Sequence, residues 1–385
     1  MGRIIQGDAL EVLKTLPDEF VQCVVTSPPY WGLRDYQADG QLGLEKTPEE
    51  YVGKMVAVFQ EVRRVLRDDG VVFLNLGDSY TSGNRPDRDP GPVSKTGIPH
   101  RSSGMERAKT PPGLKPKDLV GIPWRVAFAL QADGWWLRQD IVWAKPNPMP
   151  ESVTDRCTKA HEYFFLLTKS ARYYWDQEAV KETTERNWAT VGGNLKGKGV
   201  HKVCGEMKDV GDRTSEDSER YGRNRRSVWT ITTQPSSEPH FAQFPEKLVE
   251  PCVLAGTSEK GACPKCGKGW VRVVEKEGMS SREWQALRGT GTKGHDKKMG
   301  MQGKSIKGGR PPDPTSKTLG WQPACSCGEK PVPCVVLDPF CGLGTACIVA
   351  KKLGRDYIGI DISEKYCKIA ERKLAATGYQ YALNF

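Results

Sequence analysis

In this 385-residue chain, the stretch "PCVVLDPFCGLGTACIVAKKLGRDYIGIDISEKYCKIAERKLAAT" allows few folds. An apolar run stops at Asp338, Gly342 and Gly344 break the chain before a helical repeat, and a second apolar run ends on Asp361. The order strand, glycine turn, helix, strand, acid, helix is that of a βαβ unit in a parallel sheet. Glycines at a strand end let backbone amides approach a ligand closely. An acid roughly 20 residues further on is placed to accept hydrogen bonds from ribose hydroxyls. The third glycine of a dinucleotide loop is absent, its position being held by Cys347. A nucleoside without a pyrophosphate needs no third close approach, so the segment fits such a ligand better than a nicotinamide dinucleotide.

The same alternation runs through the rest of the chain. "GDALEVLKTLPDEF" carries a capping-box pattern at Asp8 and Glu11. "VQCVVT" reads as a strand, and "TPEEYVGKMVAVFQEVRRVLRDDG" as an amphipathic helix with Thr47 and Pro48 at its start and Gly70 just past its end. "VVFLNLGDSY" then reads as a buried strand. These units predict an α/β fold with a mostly parallel, doubly wound sheet. One strand ends differently: "VQCVVTSPPYWGLRDY" runs into two prolines and two aromatics. Two prolines remove two backbone donors and fix two φ angles, so a stiff turn leaves the sheet where open α/β sheets bind ligands. A proline-rich surface turn is the plain alternative.

A formal net charge of +10 suits a polyanionic partner. No apolar run is long enough to span a membrane and "MGRIIQGDAL" lacks a signal-peptide shape, so a cytoplasmic protein is expected. The 12 cysteines, without such a signal, argue against a disulfide framework. Four stand apart: Cys263 and Cys266 in "CPKCGKGW", and Cys325 and Cys327 in "ACSCGE". Their spacing suits a four-thiolate structural zinc, with surface thiols or a redox pair as alternatives. The polar tracts at 81–118 and 185–230 are too long for ordinary connections; each is a binding loop or a solvated insertion.

Taken together, "TSPPYWGLRDY", "HFAQFPEKLVEPCVLAGT", "VVLDPFCGLGTA" and "YIGID" resemble the motifs of S-adenosylmethionine-dependent DNA amino-methyltransferases. The order is that of the permuted (beta-type) arrangement, with the catalytic motif ahead of the cofactor motif. "GDALEVL", "WAKPNPMPES" and "KAHEYFFLL" extend the likeness. Leu343 and Ala346 stand where family members commonly carry Ser or Thr, a change that removes no backbone donor. The resemblance implies a circularly permuted Rossmann-like methyltransferase fold with a small zinc-bound insertion. Val335 to Leu374 would supply the first two strands, and Ile4 to Tyr30 the third and fourth. The implied parts are a catalytic half at 1–184 with a mobile loop at 81–118, a target-recognition region at 185–230, a cofactor-flanking segment at 231–257, a zinc-ribbon-like insertion at 258–330 and a cofactor-binding half at 331–385.

By the same resemblance, Asp338, Pro339, Phe340, Gly342, Gly344, Thr345 and Asp361 line the S-adenosylmethionine site, with Phe244 and Pro245 nearby and Asp8 reaching the adenine edge. For Asp8, a helix cap alone is the other reading. Ser27 and the carbonyl of Pro28 would take the two amino hydrogens of the target base. Pro29 stiffens that turn, and Tyr30 would stack on the base once it is flipped out of the duplex. Trp143, Lys145 and Asn147 would meet the base or its phosphate, with packing and a solvated lysine as the other reading, while Arg223, Arg225 and Arg226 would bind DNA. Ser-Pro-Pro-Tyr resembles the form associated with cytosine N4; adenine N6 is the runner-up. An RNA or protein methyltransferase and a non-catalytic DNA-binding protein are further alternatives. Double-stranded DNA and a cognate restriction endonuclease are the implied partners of a monomer or homodimer that is bacterial or phage-encoded.

Overall fold

The computed structural model describes residues 2–33, 40–81, 110–183, 222–234, 244–277 and 315–378. The chain divides into two units, one of Met1–Asp176, Arg226–Val271 and Pro323–Phe385, the other of Gln177–Arg225 and Arg272–Gln322.

The first unit is built on a sheet whose strands are β1 (Arg3–Gln6), β2 (Val21–Thr26), β3 (Leu66–Leu76), β4 (Trp136–Ala144), β5 (His161–Thr168), β8 (Val228–Thr230), β11 (Val335–Asp338) and β12 (Asp356–Asp361). Their spatial order is β1-β12-β11-β2-β3-β5-β4-β8. Pairing is parallel from β1 across to β3, and β5 runs antiparallel to both neighbours. The two strands of the βαβ unit thus lie between β1 and β2, as a permuted Rossmann-like order requires. β11 has β12 on one side and β2 on the other, which makes its carboxyl end the topological switch point where ligands bind in open α/β sheets.

Helices α1 (Ala9–Lys14), α2 (Pro48–Val65), α3 (Ile122–Ala132), α4 (Glu246–Gly256), α5 (Thr345–Lys352) and α6 (Glu364–Ala376) accompany this sheet. α2 shows why. The Thr47 side chain accepts from the amide of Glu50 and Pro48 sits in the first turn. Tyr51, Met55, Val58, Phe59, Val62 and Val65 recur at helical spacing and all are buried. Each such apolar side chain contributes about 1.5–3 kcal/mol by leaving water. The helix stops at Val65 and β3 starts at once, so Gly70 lies inside that strand rather than past a helix end. A register shift accounts for the difference: Val21 pairs with Leu66 but Cys23 with Val71, and the residues between them bulge out.

The second unit contains β6 (Glu182–Thr183) paired antiparallel with β7 (Gly222–Arg223), and a two-stranded ladder of β9 (Val271–Glu277) with β10 (Thr315–Gln322). Residues 185–221 of the expected recognition region and 82–109 of the expected loop lie outside the described residues. The neck of that loop is closed: Thr81 N–H donates to Asp118 O at 2.9 Å and Val120 N–H to Ser79 O at 3.0 Å. Among the described residues no helix is long and apolar enough to cross a membrane.

Phe59 is fully buried and meets Trp135 edge-on at 6.4 Å between ring centroids. Phe59→Ala is expected to cost about 3–5 kcal/mol, read from the midpoint of urea unfolding.

Candidate active site

The cofactor-facing half of the site follows from how β11 and β12 end. Asp338 closes β11, and its Oδ1 accepts from the Phe340 amide at 3.1 Å and from the Thr26 hydroxyl at 2.7 Å. Asp361 closes β12; its two oxygens accept from the Gly342 and Ser363 amides, each at 2.9 Å. Asp361 therefore ties the glycine loop to the start of α6. The carboxylate keeps lone pairs for ligand hydroxyls, since two oxygens offer about four acceptor sites. Gly344 precedes α5 at φ 80, and a Cβ there would stand 2.9 Å from Ala370 Cβ, so both the turn and the helix contact require glycine. Leu343 is 2% exposed, and its side chain costs the loop no amide.

These elements enclose a cleft of roughly 880 Å³, its solvent-open space included, lined by Asp8, Phe244, Pro339, Phe340, Gly342, Thr345 and Asp361. The Asp8 Oδ1 accepts from the Glu11 amide at 3.1 Å as a helix cap, and Asp8 also lines the cleft. Pro245 sits at the entry to α4, next to Phe244. Burial pushes the Asp338 carboxyl up to about 7, against the pull of the Thr26 and Phe340 hydrogen bonds. Its Oδ2 is buried with no hydrogen-bond partner among the described residues. Burial also raises Asp361, opposed by the two amides it holds. The cleft thus offers a carboxylate with spare lone pairs at Asp361 and an apolar wall at Phe244, Pro339 and Phe340.

Ser27 and Pro29 line the same cleft from the other side, because β2 lies beside β11. The Tyr51 hydroxyl, on buried α2, donates to Pro29 O at 2.9 Å and fixes the turn after the prolines. Tyr30 is held at both ends. Its hydroxyl lies 2.9 Å from Asn75 Oδ1 and 2.8 Å from Glu162 Oε2, and its ring lies so close to Gly77 that a Cβ there would stand 2.4 Å from Cε2. Burial raises the Tyr30 phenol well above its ordinary value, so it stays a neutral donor. The Ser27 hydroxyl lies 3.1 Å from Asn75 Oδ1.

A family model described as DNA methylase matches residues 21–270 and 333–372. The chain is a DNA methylase of the N6/N4 amino-methyltransferase family. It is 48% identical over 273 residues to the Type II methyltransferase M.Cfr9I of Citrobacter freundii, covering 70% of this chain and 78% of that one. It is 37% identical over 372 residues to the Type II methyltransferase M.SmaI of Serratia marcescens, covering 97% and 90%. In fold it is similar to the PvuII DNA methyltransferase (cytosine-N4-specific), with a TM-score of 0.50 at 15% identity over 100% of this chain and 88% of that one.

Other expected site residues of the methylase have intramolecular partners. Trp143 is 3% exposed and its indole donates to Ile231 O at 2.8 Å, which packs it into the framework. Lys145 forms an ion pair with Glu162 and lies 4.2 Å from the Trp143 ring centroid. Asn147 is joined to Thr233 by two hydrogen bonds, at 2.9 and 3.0 Å. In the second unit Arg223 pairs with Glu182 at 3.0 Å and Arg225 is half-buried; Arg226, in the first unit, is exposed. Asn75, Glu162, Tyr51 and Thr26 were not singled out by sequence. A polar Asn inside the apolar run "VVFLNL" was the available signal for the first of them.

Cys263, Cys266, Cys325 and Cys327 come together, their sulfurs within 4.8 Å of one another. The first pair sits on a tight knuckle in which the Cys263 amide donates to Lys268 O at 2.9 Å and the Gly267 amide to Cys263 O at 2.7 Å. The knuckle adjoins the start of β2: Gln22 reaches Gly267 O at 3.5 Å and accepts from the Val335 amide at 2.7 Å. Ser27 and Asp338 lie past the opposite, carboxyl ends of β2 and β11.

Asp338 sets a pH dependence. Between its unfolded value of about 3.9 and about 7, the folded methylase holds a proton that the unfolded chain has lost. Cofactor-free stability therefore falls as pH rises through that window, by at most about 1.4 kcal/mol per pH unit. Urea unfolding of wild type and Asp338→Asn from pH 4.5 to 8 is expected to give a flatter curve for the variant; parallel curves would refute the assignment.

Proposed function

We propose that this methylase transfers a methyl group from S-adenosylmethionine to the exocyclic N4 amino group of cytosine in double-stranded DNA, after flipping the base into the cleft. The observation that carries the reading is that Ser27, the glycine loop at Gly342 and Asp361 line one cleft. S-adenosylmethionine supplies an electrophilic methyl on a sulfonium sulfur, which departs as a neutral thioether. The residues of the chain deal with the other reactant. An exocyclic amine is a weak nucleophile because its lone pair is delocalised into the ring. Ser27 Oγ and Pro28 O each accept one amino hydrogen, which localises the lone pair and aims it at the methyl; the surplus proton of the product leaves to solvent. This is orientation and electrostatic preorganisation, with no covalent intermediate. Tyr30, fixed through its hydroxyl, offers a ring face to the flipped base.

On the cofactor side, Asp361 takes the ribose hydroxyls, Asp8 meets the adenine edge and Asp338 faces the positive charge. The choice of cytosine N4 rests on the serine that opens Ser-Pro-Pro-Tyr. Target sequence is read by 185–230 with Arg223, Arg225 and Arg226 contributing, and the Type II names of the two relatives support a cognate restriction endonuclease as the biological partner. Lys145 serves the site through Glu162.

Incubating the protein with unmethylated duplex DNA and labelled S-adenosylmethionine, then digesting to nucleosides, is expected to yield N4-methylcytosine. N6-methyladenine would move the reading to the other base. No methylated nucleoside from a diverse genomic substrate would overturn it.

We further propose that Cys263, Cys266, Cys325 and Cys327 hold a structural zinc ion. Four clustered thiols suit tetrahedral thiolate coordination, and a closed set of four protein ligands leaves no position for catalysis. Metal analysis is expected to find one zinc per chain, lost in Cys263→Ser/Cys325→Ser together with a lowered Tm. A metal-free wild type, or a double variant that melts with it, would refute the site.

A further inference from the structure

The polar groups beneath the Ser-Pro-Pro-Tyr turn dictate which way the Ser27 hydroxyl points. Asn75 is 1% exposed, so its amide must find all its partners inside the protein. Its Nδ2 lies 3.1 Å from Tyr163 O and 3.2 Å from Glu162 Oε2. Both are oxygens that only accept, so the amide nitrogen faces them and Oδ1 faces the turn. Oδ1 in turn needs a hydrogen, and two hydroxyls are in reach: Ser27 at 3.1 Å and Tyr30 at 2.9 Å.

Tyr30 has one hydrogen to give, and Glu162 Oε2 stands 2.8 Å from it. A carboxylate is the stronger acceptor, and with the Tyr30 hydrogen on Glu162 the Asn75 oxygen is left to Ser27. In the other arrangement Tyr30 donates to Asn75, and its oxygen, 3.3 Å from Ser27 Oγ, takes the Ser27 hydrogen. Both arrangements turn that hydrogen into the protein and the Ser27 lone pairs into the cleft. The hydrogen is free to point outward only where Tyr30 gives up the Glu162 carboxylate for the weaker acceptor Asn75 Oδ1, or donates to Ser27 and leaves the buried Asn75 carbonyl unsatisfied.

We infer that Glu162 is a positioning residue which, through Asn75 and Tyr30, makes Ser27 Oγ an acceptor toward the cleft. The inference rests on the reading of Ser27 as the acceptor for the target amine. An amine can be gripped only by acceptors through its hydrogens, so a hydroxyl of the opposite polarity would have nothing to bind. Lys145, paired with the other Glu162 oxygen and set over Trp143, keeps the carboxylate charge-balanced at a site where both side chains are less than one fifth exposed, 17% and 16%. The framework contacts of Trp143 and Lys145 thereby acquire a purpose in catalysis.

Glu162→Gln tests this with little change in shape. Its amide oxygen is held by Lys145, so its nitrogen faces Tyr30 and Asn75; Tyr30 loses its carboxylate acceptor and gives its hydrogen to Asn75 Oδ1, so the Ser27 hydrogen is no longer needed there and is free to turn into the cleft. Turnover is expected to fall about tenfold or more, with KM for DNA and the calorimetric Kd for S-adenosylmethionine within about twofold of wild type. Because the effect travels through Ser27, Ser27→Ala/Glu162→Gln is expected to be no slower than Ser27→Ala alone. Unchanged turnover in the single variant, or fully additive losses in the double one, would overturn the inference. A neutron structure of the deuterated wild type decides the polarity without any activity: a Ser27 deuteron directed at Asn75 or Tyr30 supports it, and one directed into the cleft refutes it. A wild type that methylates no nucleoside would overturn the acceptor reading instead, and the neutron result would still stand.

Discussion

The hydrogen bond from Thr26 Oγ1 to Asp338 Oδ1 joins the ends of two strands that are 312 residues apart in sequence. Ser27 follows the first partner directly, and the Pro339–Gly344 loop follows the second. With the parallel register of Cys23 on Val336 and Val24 on Leu337, this contact sets the separation of the catalytic turn from the cofactor loop. The distance between the two reactants thus depends on a sheet interior, where both partners are essentially inaccessible to water. Rigid placement of this sort is where orientation effects in catalysis come from, and a shift of an ångström would be costly. It also explains why the order of the motifs along the chain is free to differ from their order in space.

The site is organised by how its buried polar groups are satisfied. Asp361 has an amide on each oxygen and works as a clamp for the loop. Asp338 has one oxygen doubly satisfied and the other not, so burial raises its affinity for a proton. Asn75 is satisfied by its two acceptor partners on one side and by a hydroxyl of Ser27 or Tyr30 on the other. Buried polar groups are expensive unless matched. In this methylase the matched ones hold geometry.

The parts legible in the sequence were those with local signals. The βαβ unit, its glycines and its two terminal acids read correctly because period, turn chemistry and spacing all fall within one short stretch. Asn75 and Glu162 meet across adjacent antiparallel strands at a sequence separation of 87, which no local pattern encodes. The burial of Trp143 was a pattern the sequence did carry. The residue alternates with Ile141, 2% exposed, and that period of two places both side chains on the buried face. Gly70 read as a helix stop because a bulge that keeps Leu66 in the ladder depends on the neighbouring strand. The cysteine knuckle was legible as a pair; its meeting with Cys325 and Cys327 was a matter of chemistry, since the intervening 278–314 carry no comparable cue.

The position of β11 between β12 and β2 has a consequence for how the protein is made. A ribosome that has finished β2, β3, β4 and β5 has produced most of the sheet but not the strand that covers the inner edge of β2. That edge stays open through the synthesis of everything up to Val335, with Val24 and Val25 at its surface. Unpaired interior strands of this kind invite association with other nascent chains and occupancy by chaperones. The cleft is accordingly among the last features the growing polypeptide acquires, and a translation product that stops short of Asp361 has the Ser-Pro-Pro-Tyr turn but not the wall that faces it.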